Sequence, residues 1–241
     1  MKSRVKDYLI KQMFEPNLLG VFVNPFYIAR KNLLVGIKAY GKMITGKTLD
    51  IGCGSKPYEK HFSSTKYLGL EIETQTNLTE KKADFYYDGK TFPFENQSFD
   101  SAISNQVLEH VFTPNDFLSE VHRILKSDGL LLITVPFVWD EHEQPYDYAR
   151  YSSFGLKYLL ESNGFEIIKQ NKLGHPIEVI LQLINDYIYK ITKDIPIIKQ
   201  LTTLFVSSLI SVAGVLLSKI LPSNQDLFLD NIILAKKVSN V

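Results

Sequence analysis

The chain is poor in cysteine. Cys53 stands alone among 241 residues, so no internal disulfide can form, and no Cys/His cluster has the spacing of a zinc site. No metal is expected on that ground. A surplus of either charge is lacking too, since 27 Lys and Arg face 26 Asp and Glu. Proteins that track nucleic-acid phosphates carry a basic excess, so nucleic acid is not an expected partner. The N-terminal stretch MKSRVKDYLIKQMFEPN has no long apolar core of the signal-peptide kind, which gives the expectation of an intracellular, cytoplasmic protein. Internal repeats, low-complexity tracts and long like-charge blocks are also missing. What is left is a chain long enough for one α/β domain with additions.

From about Lys47 to Lys169, short β-branched or apolar runs alternate with helical patterns, as βαβ units of a parallel sheet do. The expected strands are Lys47–Ile51, Lys66–Glu71, Ala83–Tyr86, Phe99–Ser104 and Leu130–Val135. In PNDFLSEVHRILKSDG, Phe117, Leu118, Val121, Ile124 and Leu125 fall at helical spacing between Pro114 and Gly129, which predicts a helix over that stretch. A further helix over Phe154–Ser162 precedes the strand FEIIKQ, and DLFLDNIILAKK forms the last strand. Between these two strands lies an apolar helical insertion, residues 176–222. Residues 1–44 are helical in pattern, with breaks at Pro16 and Pro25. The expectation is a single domain over 1–241, with core 45–175 and last strand and tail 223–241.

Within the insertion, Leu201–Lys219 approaches the length of a membrane span, about 20 residues. However, Thr203, Ser207, Ser211, Gly214 and Ser218 recur every three or four residues as one small, mildly polar stripe. That stripe suits close packing against another element, the simplest reading, or a helix lying in a membrane interface.

The chemistry starts at TLDIGCGSKPYEK. A glycine-rich turn after a strand brings backbone amides against a ligand. Gly52 and Gly54 are present, but Pro57 stands where a dinucleotide site has its third glycine, and Asp50 lies just ahead. A carboxylate there opposes a phosphate and favours a cationic or hydroxyl-bearing group. Glu71, at the end of the next strand, can accept both hydroxyls of a ribose. Asp88, after the third strand, can reach an adenine amino group. Together these carboxylates describe a pocket for a ribonucleoside without phosphates.

LDIGCGSKPY, YLGLEIE, DGKTFPFENQSFDSAISNQVLEHV and HRILKSDGLLLITVP follow one another in the order and spacing of successive motifs. The chain thereby resembles the class I S-adenosylmethionine-dependent methyltransferases, in particular the bacterial type-11 group. The likeness is strongest over about Lys47–Pro136. It implies a Rossmann-like seven-stranded α/β sheet, mostly parallel with an antiparallel last strand. It also implies S-adenosyl-L-methionine as cofactor, with S-adenosyl-L-homocysteine as product. Carried over, it surrounds the methionyl part with Asp50, Gly52, Cys53 and Gly54 and sets Glu71 on the ribose. Asp88 and Gly89 would face the adenine, and Asn105 and Gln106 would border the sulfonium. Lys56 departs from the family by replacing its third glycine, and Pro57 is then expected to open a short helix. The N-terminal segment would be a helical lid over the cofactor entrance, with Tyr27 and Arg30 as its nearest side chains.

Cys53 reads as a loop-filling residue rather than a nucleophile. Glu109 and His110 read as capping or bracing residues, with catalysis the alternative, and Asp100 as a strand-opening residue. After the fifth strand, VPFVWDEHEQPYDYARYS lies where acceptors bind in open α/β sheets. His142 is its candidate general base, and Tyr146, Asp147 and Arg150 are candidate substrate contacts. An Asp147–Arg150 ion pair that merely holds the loop fits the same residues. GCGSKPY with HEQPYDYARYS also resembles, more weakly, methyltransferases of cell-surface polysaccharide or lipid-linked pathways. The expected acceptor is therefore a small-molecule, glycan or lipid-linked compound. Peripheral contact of 176–222 with the inner face of the membrane is a further expectation. The competing reading is a non-catalytic membrane-surface or partner-binding protein on a methyltransferase scaffold.

Overall fold

The computed structural model describes residues 2–80 and 83–238; Met1, Lys81, Lys82 and residues 239–241 of the expected tail lie outside the described residues. The strands are β1 (Thr45–Ile51), β2 (Ser63–Ile72), β3 (Phe85–Tyr87), β4 (Phe99–Asn105), β5 (Leu125–Pro136), β6 (Phe165–Leu173) and β7 (Asp230–Lys237). They form one sheet in the order β3-β2-β1-β4-β5-β7-β6. The β1, β2, β3, β4 and β5 pairings are parallel, and β7 runs antiparallel to β5. This is the expected sheet. The helices are α1 (Lys2–Phe14), α2 (Tyr27–Gly41), α3 (Gln75–Glu80), α4 (Pro114–Ile124), α5 (Ser153–Ser162), α6 (Pro176–Thr192), α7 (Pro196–Leu201) and α8 (Ser208–Leu217).

β5 shows why the centre is fixed. Its run LLLITV is apolar at consecutive positions, and Leu131, Leu132, Ile133 and Val135 are all buried, as suits a strand covered on both faces. α4 presents Phe117, Leu118, Val121 and Ile124 to that core. The helix ends at Ile124, not at Gly129, and β5 opens five residues earlier than expected. Leu125 already has an extended backbone. The register then shifts between Phe99 and Ser101, and Asp128 turns through a φ of +62°. The KSDG sequence therefore makes an irregular strand edge rather than a last helical turn. Lys237 of β7 seals the end of α4 by donating to the carbonyls of His122 and Leu125, both at 2.7 Å. A cation there also suits the negative end of the helix dipole.

Backbone contacts divide the chain into two compact units. One comprises Ile37–Lys172 and Asp230–Val241 and holds most of the sheet; the other comprises Met1–Gly36 and Leu173–Leu229. In the helical unit, Glu178, Gln182, Asn185 and Asp186 of α6 are buried. Gln182 accepts from the Ala29 amide and donates to the Pro25 carbonyl. Asn185 donates to the Ser207 carbonyl and the Ser211 hydroxyl. Thr203, Ser207, Ser211 and Gly214 are buried too, so the small-residue stripe packs inward as expected. A π-helical turn, Thr202–Ser207, joins α7 to α8, and the continuous helix Pro196–Leu217 is long and apolar enough to cross a membrane by length and composition. The outward faces carry Ile184, Tyr187, Ile191, Phe205 and Leu209, all exposed.

Candidate functional site

The turn after β1 is built by close approach. Gly52 sits at a φ of +69°, and a Cβ there would come within 2.4 Å of Val107 Cγ2, so no larger residue fits. The Gly52 amide donates to the Leu70 carbonyl at 2.9 Å, and the Gly54 amide donates to Glu71 Oε2 at 3.0 Å. Asp50 and Glu71 are both buried beside this turn. Asp50 Oδ2 accepts from the Tyr67 hydroxyl at 2.7 Å. Burial pushes the Asp50 carboxyl up to about 7; the Tyr67 bond opposes this and the nearby Glu71 charge adds to it. The turn thus presents two adjacent buried carboxylates, a setting that repels phosphate and accepts a cation or hydroxyls.

Cys53 is buried, and burial, with the charges of Asp50 and Glu71, pushes its thiol up to about 12. It is a thiol at neutral pH and fills the loop. On β2, a Cβ on Gly69 would lie 2.5 Å from both Cys53 Sγ and Lys56 Cε. Lys56 occupies the position of the family's third glycine with a φ of +56°. Its ammonium pairs with Asp84, whose Oδ2 also accepts from the Gly69 amide at 2.6 Å. Left-handed backbone at Lys56, directly before a proline, interrupts a helical start. In place of the helix expected at Pro57 there is a turn and the short 3-10 helix Glu59–His61. Tyr67, Gly69 and Asp84 were missed by the sequence reading. The one signal for them was a glycine interrupting an otherwise regular strand.

Asp88 is exposed, and its Oδ1 accepts from the amides of Lys90 and Thr91 at 2.9 and 3.0 Å. These bonds hold its carboxyl below the usual range. Its side chain closes its own loop, with Gly89 beside it at a φ of +84°. Asn105 and Gln106 end β4 and share one anchor. The Thr134 hydroxyl donates to Asn105 Oδ1 at 2.6 Å, and Gln106 Nε2 donates to that hydroxyl at 3.3 Å. Asp100 accepts from the Lys47 amide and from Lys126 Nζ, both at 2.7 Å, as a residue bracing the opening of a strand.

The loop after β5 folds back onto the 3-10 helix Leu108–His110, because the amides of Tyr148 and Ala149 both donate to the Glu109 carbonyl. Arg150 grips Asp147 with two bonds of 2.6 and 2.7 Å and also donates to the Asp140 carbonyl at 2.7 Å. The Asp147 side chain is only 3% exposed, and its burial works to raise its carboxyl; the Arg150 pair outweighs this and holds it at about 2. This pair holds the loop down, so the guanidinium is committed to protein rather than turned towards an acidic acceptor. The Tyr146 ring is exposed, while its carbonyl lies 2.9 Å from His110 Nδ1. His142 packs edge-on against His110, with ring centroids 4.8 Å apart. Burial, and then the neighbouring His110, lower its pKa, so it is neutral at pH 7 and able to take a proton. Among the described residues the Glu109 side chain neither caps nor braces: it is fully buried, neither carboxylate oxygen has a hydrogen-bond partner there, and burial, opposed by its own backbone amide, pushes it up to about 8.

The structure therefore gathers Asp50, Gly52, Cys53, Gly54 and Glu71 at one turn. It gathers Glu109, His110, His142, Asp147 and Arg150 at the neighbouring strand ends. Asp88 accepts from its own loop after β3, and the Tyr146 ring is exposed.

Residues 49–133 match the Methyltransferase domain family. Two uncharacterised proteins of Methanocaldococcus jannaschii are 33% and 29% identical over 94 and 93 residues, 38% and 37% of this chain. These matches cover 38% and 44% of the relatives, so the chain spans about two fifths of their length. Among solved structures, phosphoethanolamine N-methyltransferase 2 of Haemonchus contortus with S-adenosyl-L-methionine aligns with a TM-score of 0.55. The identity is 20%, over 96% of this chain and 57% of that one. An S-adenosylmethionine-dependent methyltransferase of Mesorhizobium loti gives 0.52 at 12% identity, over 87% of this chain and 100% of that one. The [4+2]-cyclase SpnF also gives 0.52, at 18% identity over 87% and 81%. At these identities the likeness is one of fold, and a fold carries more than one chemistry.

Proposed function

From the match of residues 49–133 to the Methyltransferase domain family, we propose that the chain is a class I methyltransferase that binds S-adenosyl-L-methionine and transfers its methyl group to a lipid-linked or glycan acceptor. The observation that carries the cofactor reading is the buried pair of carboxylates, Asp50 and Glu71, at the Gly52–Gly54 turn. A methionyl ammonium supplies the charge that Asp50 lacks, and ribose hydroxyls suit Glu71 once it exchanges its Gly54 contact. Methyl transfer from a sulfonium is an in-line displacement, so the cofactor brings the reactivity and the protein brings position. His142, neutral at pH 7, would take the acceptor's proton.

The lipid side of the reading rests on the helical unit. Its interior holds hydrogen-bonded polar side chains of α6 beside apolar ones such as Ile28, Leu33 and Val179, and it exposes many large apolar side chains, among them Ile184, Tyr187, Ile191, Phe205 and Leu209. Its sequence holds ten Lys and Arg against six Asp and Glu, while the sheet unit holds 17 against 20. Apolar faces beside basic charge suit the cytoplasmic surface of an anionic bilayer.

Calorimetry with S-adenosyl-L-methionine and S-adenosyl-L-homocysteine tests the first part, and micromolar binding of both is expected. Folded protein that binds neither overturns it. Mass spectrometry of cell-envelope extracts incubated with labelled cofactor tests transfer; binding without transfer leaves the non-catalytic scaffold reading. Co-sedimentation with anionic vesicles tests the surface. An Ile184→Lys, Ile191→Lys double variant should stay in the supernatant, and equal pelleting of both forms removes the membrane from the proposal.

A further inference from the structure

Glu109 is anomalous for a residue at the corner after β4. A fully buried carboxylate without a donor costs several kcal/mol unless it stays protonated or a cation meets it. Two imidazoles face it. His110 Nε2 lies 3.9 Å from Glu109 Oε1, and one ligand atom from each of Glu109, His110 and His142 falls within 4.8 Å of the other two. We propose that these three side chains bind one divalent transition-metal ion, of the kind typified by Zn²⁺.

The groups behind the two imidazoles fit that role. Metal-bound histidines give their other ring nitrogen to a carbonyl or carboxylate, which fixes the tautomer and ring direction. His110 Nδ1 lies 2.9 Å from the Tyr146 carbonyl, leaving Nε2 with its lone pair on the Glu109 side. His142 Nδ1 lies 3.3 Å from the Asp140 carbonyl and 3.2 Å from Asp147 Oδ2. Arg150 also approaches this nitrogen, at 3.4 Å, but has nearer acceptors in Asp147 and Asp140. With oxygen acceptors around Nδ1, the proton sits there and Nε2 is free to bind; the ion then takes the one lone pair of the ring, so His142 serves as base only in the ion-free chain. Arg150 does not set a bare positive charge against the ion, because Asp147 neutralises it.

The ligand set is two imidazoles and one carboxylate, borderline donors that suit Zn²⁺, Co²⁺ or Fe²⁺ better than Mg²⁺ or Ca²⁺. Ligand atoms about 2.1 Å from a tetrahedral ion lie about 3.4 Å apart. Closing the cluster from its present spacing therefore takes side-chain movement of about 1 Å. Three protein ligands leave at least one position open, and His110 and His142 are only partly buried, with side-chain exposures of 16% and 31%. An ion can enter from that side. Sequence spacing hid the site, because Glu109 and His110 are adjacent while His142 arrives from the loop after the next strand.

The test uses chelator-treated full-length protein titrated with zinc chloride, with no nucleoside or acceptor present. One ion per chain with a micromolar or tighter Kd is expected. Glu109→Gln, which keeps the side-chain shape, and His142→Ala should each weaken binding at least about tenfold. His61→Gln, outside the cluster, should leave it unchanged. Co²⁺ provides a reading that needs no variant: an intense visible band is expected on binding to the unaltered chain. Failure to bind, equal affinity in Glu109→Gln and His142→Ala, or a Co²⁺ sample without that band overturns the proposal. Titration of the same samples with S-adenosyl-L-methionine is independent, so loss of the metal site and loss of the cofactor reading are told apart.

Discussion

Asp50→Asn keeps the size of the side chain and an acceptor for the Tyr67 hydroxyl, and removes only the charge. In the folded chain the Asp50 carboxyl is held at about 7, against an ordinary value of 3.8. A carboxyl with a raised folded pKa binds its proton more tightly in the folded state. Its stabilising contribution is thus complete below about pH 4 and is lost as the pH rises towards 7. With about 1.36 kcal/mol per unit, ionising Asp50 costs the fold about 4 kcal/mol at pH 8, about 2 at pH 5 and less than about 1 at pH 4. These are upper values, since water entering the turn would screen the charge. The neutral amide escapes this cost, so Asp50→Asn should be the more stable protein at pH 8. The difference should fade by pH 4. Urea unfolding followed by circular dichroism at pH 4, 5, 6 and 8 measures it. The same variant should lose most of its affinity for S-adenosyl-L-methionine, because the ammonium loses its counter-charge. A variant less stable than the parent at pH 8, or a stability difference that is flat with pH, would refute the argument: Asp50 would then be ionised and satisfied in the free protein.

Glu71→Ala should weaken binding of both nucleosides by about 1–3 kcal/mol in calorimetry, through lost ribose hydrogen bonds. His142→Ala should leave nucleoside binding in place and lower turnover, and an unchanged kcat removes it from the chemistry. Gly52→Ala should abolish nucleoside binding, since its Cβ meets Val107 and its backbone is left-handed; a full-affinity variant would show that the turn yields. Leu132→Ala, in the buried centre of β5, should cost about 2–5 kcal/mol in denaturant unfolding.

The regular part of the fold was legible because it rests on local, periodic signals. The LLLITV run of β5 and the helical spacing of Phe117, Leu118, Val121 and Ile124 read correctly from the chain. Their boundaries did not, because Lys237, more than a hundred residues away in sequence, closes the end of α4. The same contrast holds at the site. Asp50, Gly52, Gly54 and Glu71 were visible because strand–turn–strand geometry fixes their spacing. Tyr67 and Asp84, which set the charge and tether of that turn, gave no motif. Arg150 was open either to an acceptor or to an ion pair with Asp147, and the structure shows the pair, with a further bond to the Asp140 carbonyl.

By itself, the sequence determined the sheet, the glycine turn with its carboxylates, and the small-residue stripe of the insertion. Each depends on near neighbours and on the period of a strand or helix. Tertiary structure decided that Met1–Gly36 and Leu173–Leu229 form a second unit, which buries polar side chains of α6 and exposes large apolar ones. It also decided that the Glu109 carboxylate, without a hydrogen-bond partner among the described residues, meets His110 and His142. Those outcomes depend on which distant segments share one volume, and on whether a buried charge finds its counterpart there. No local pattern carries that information.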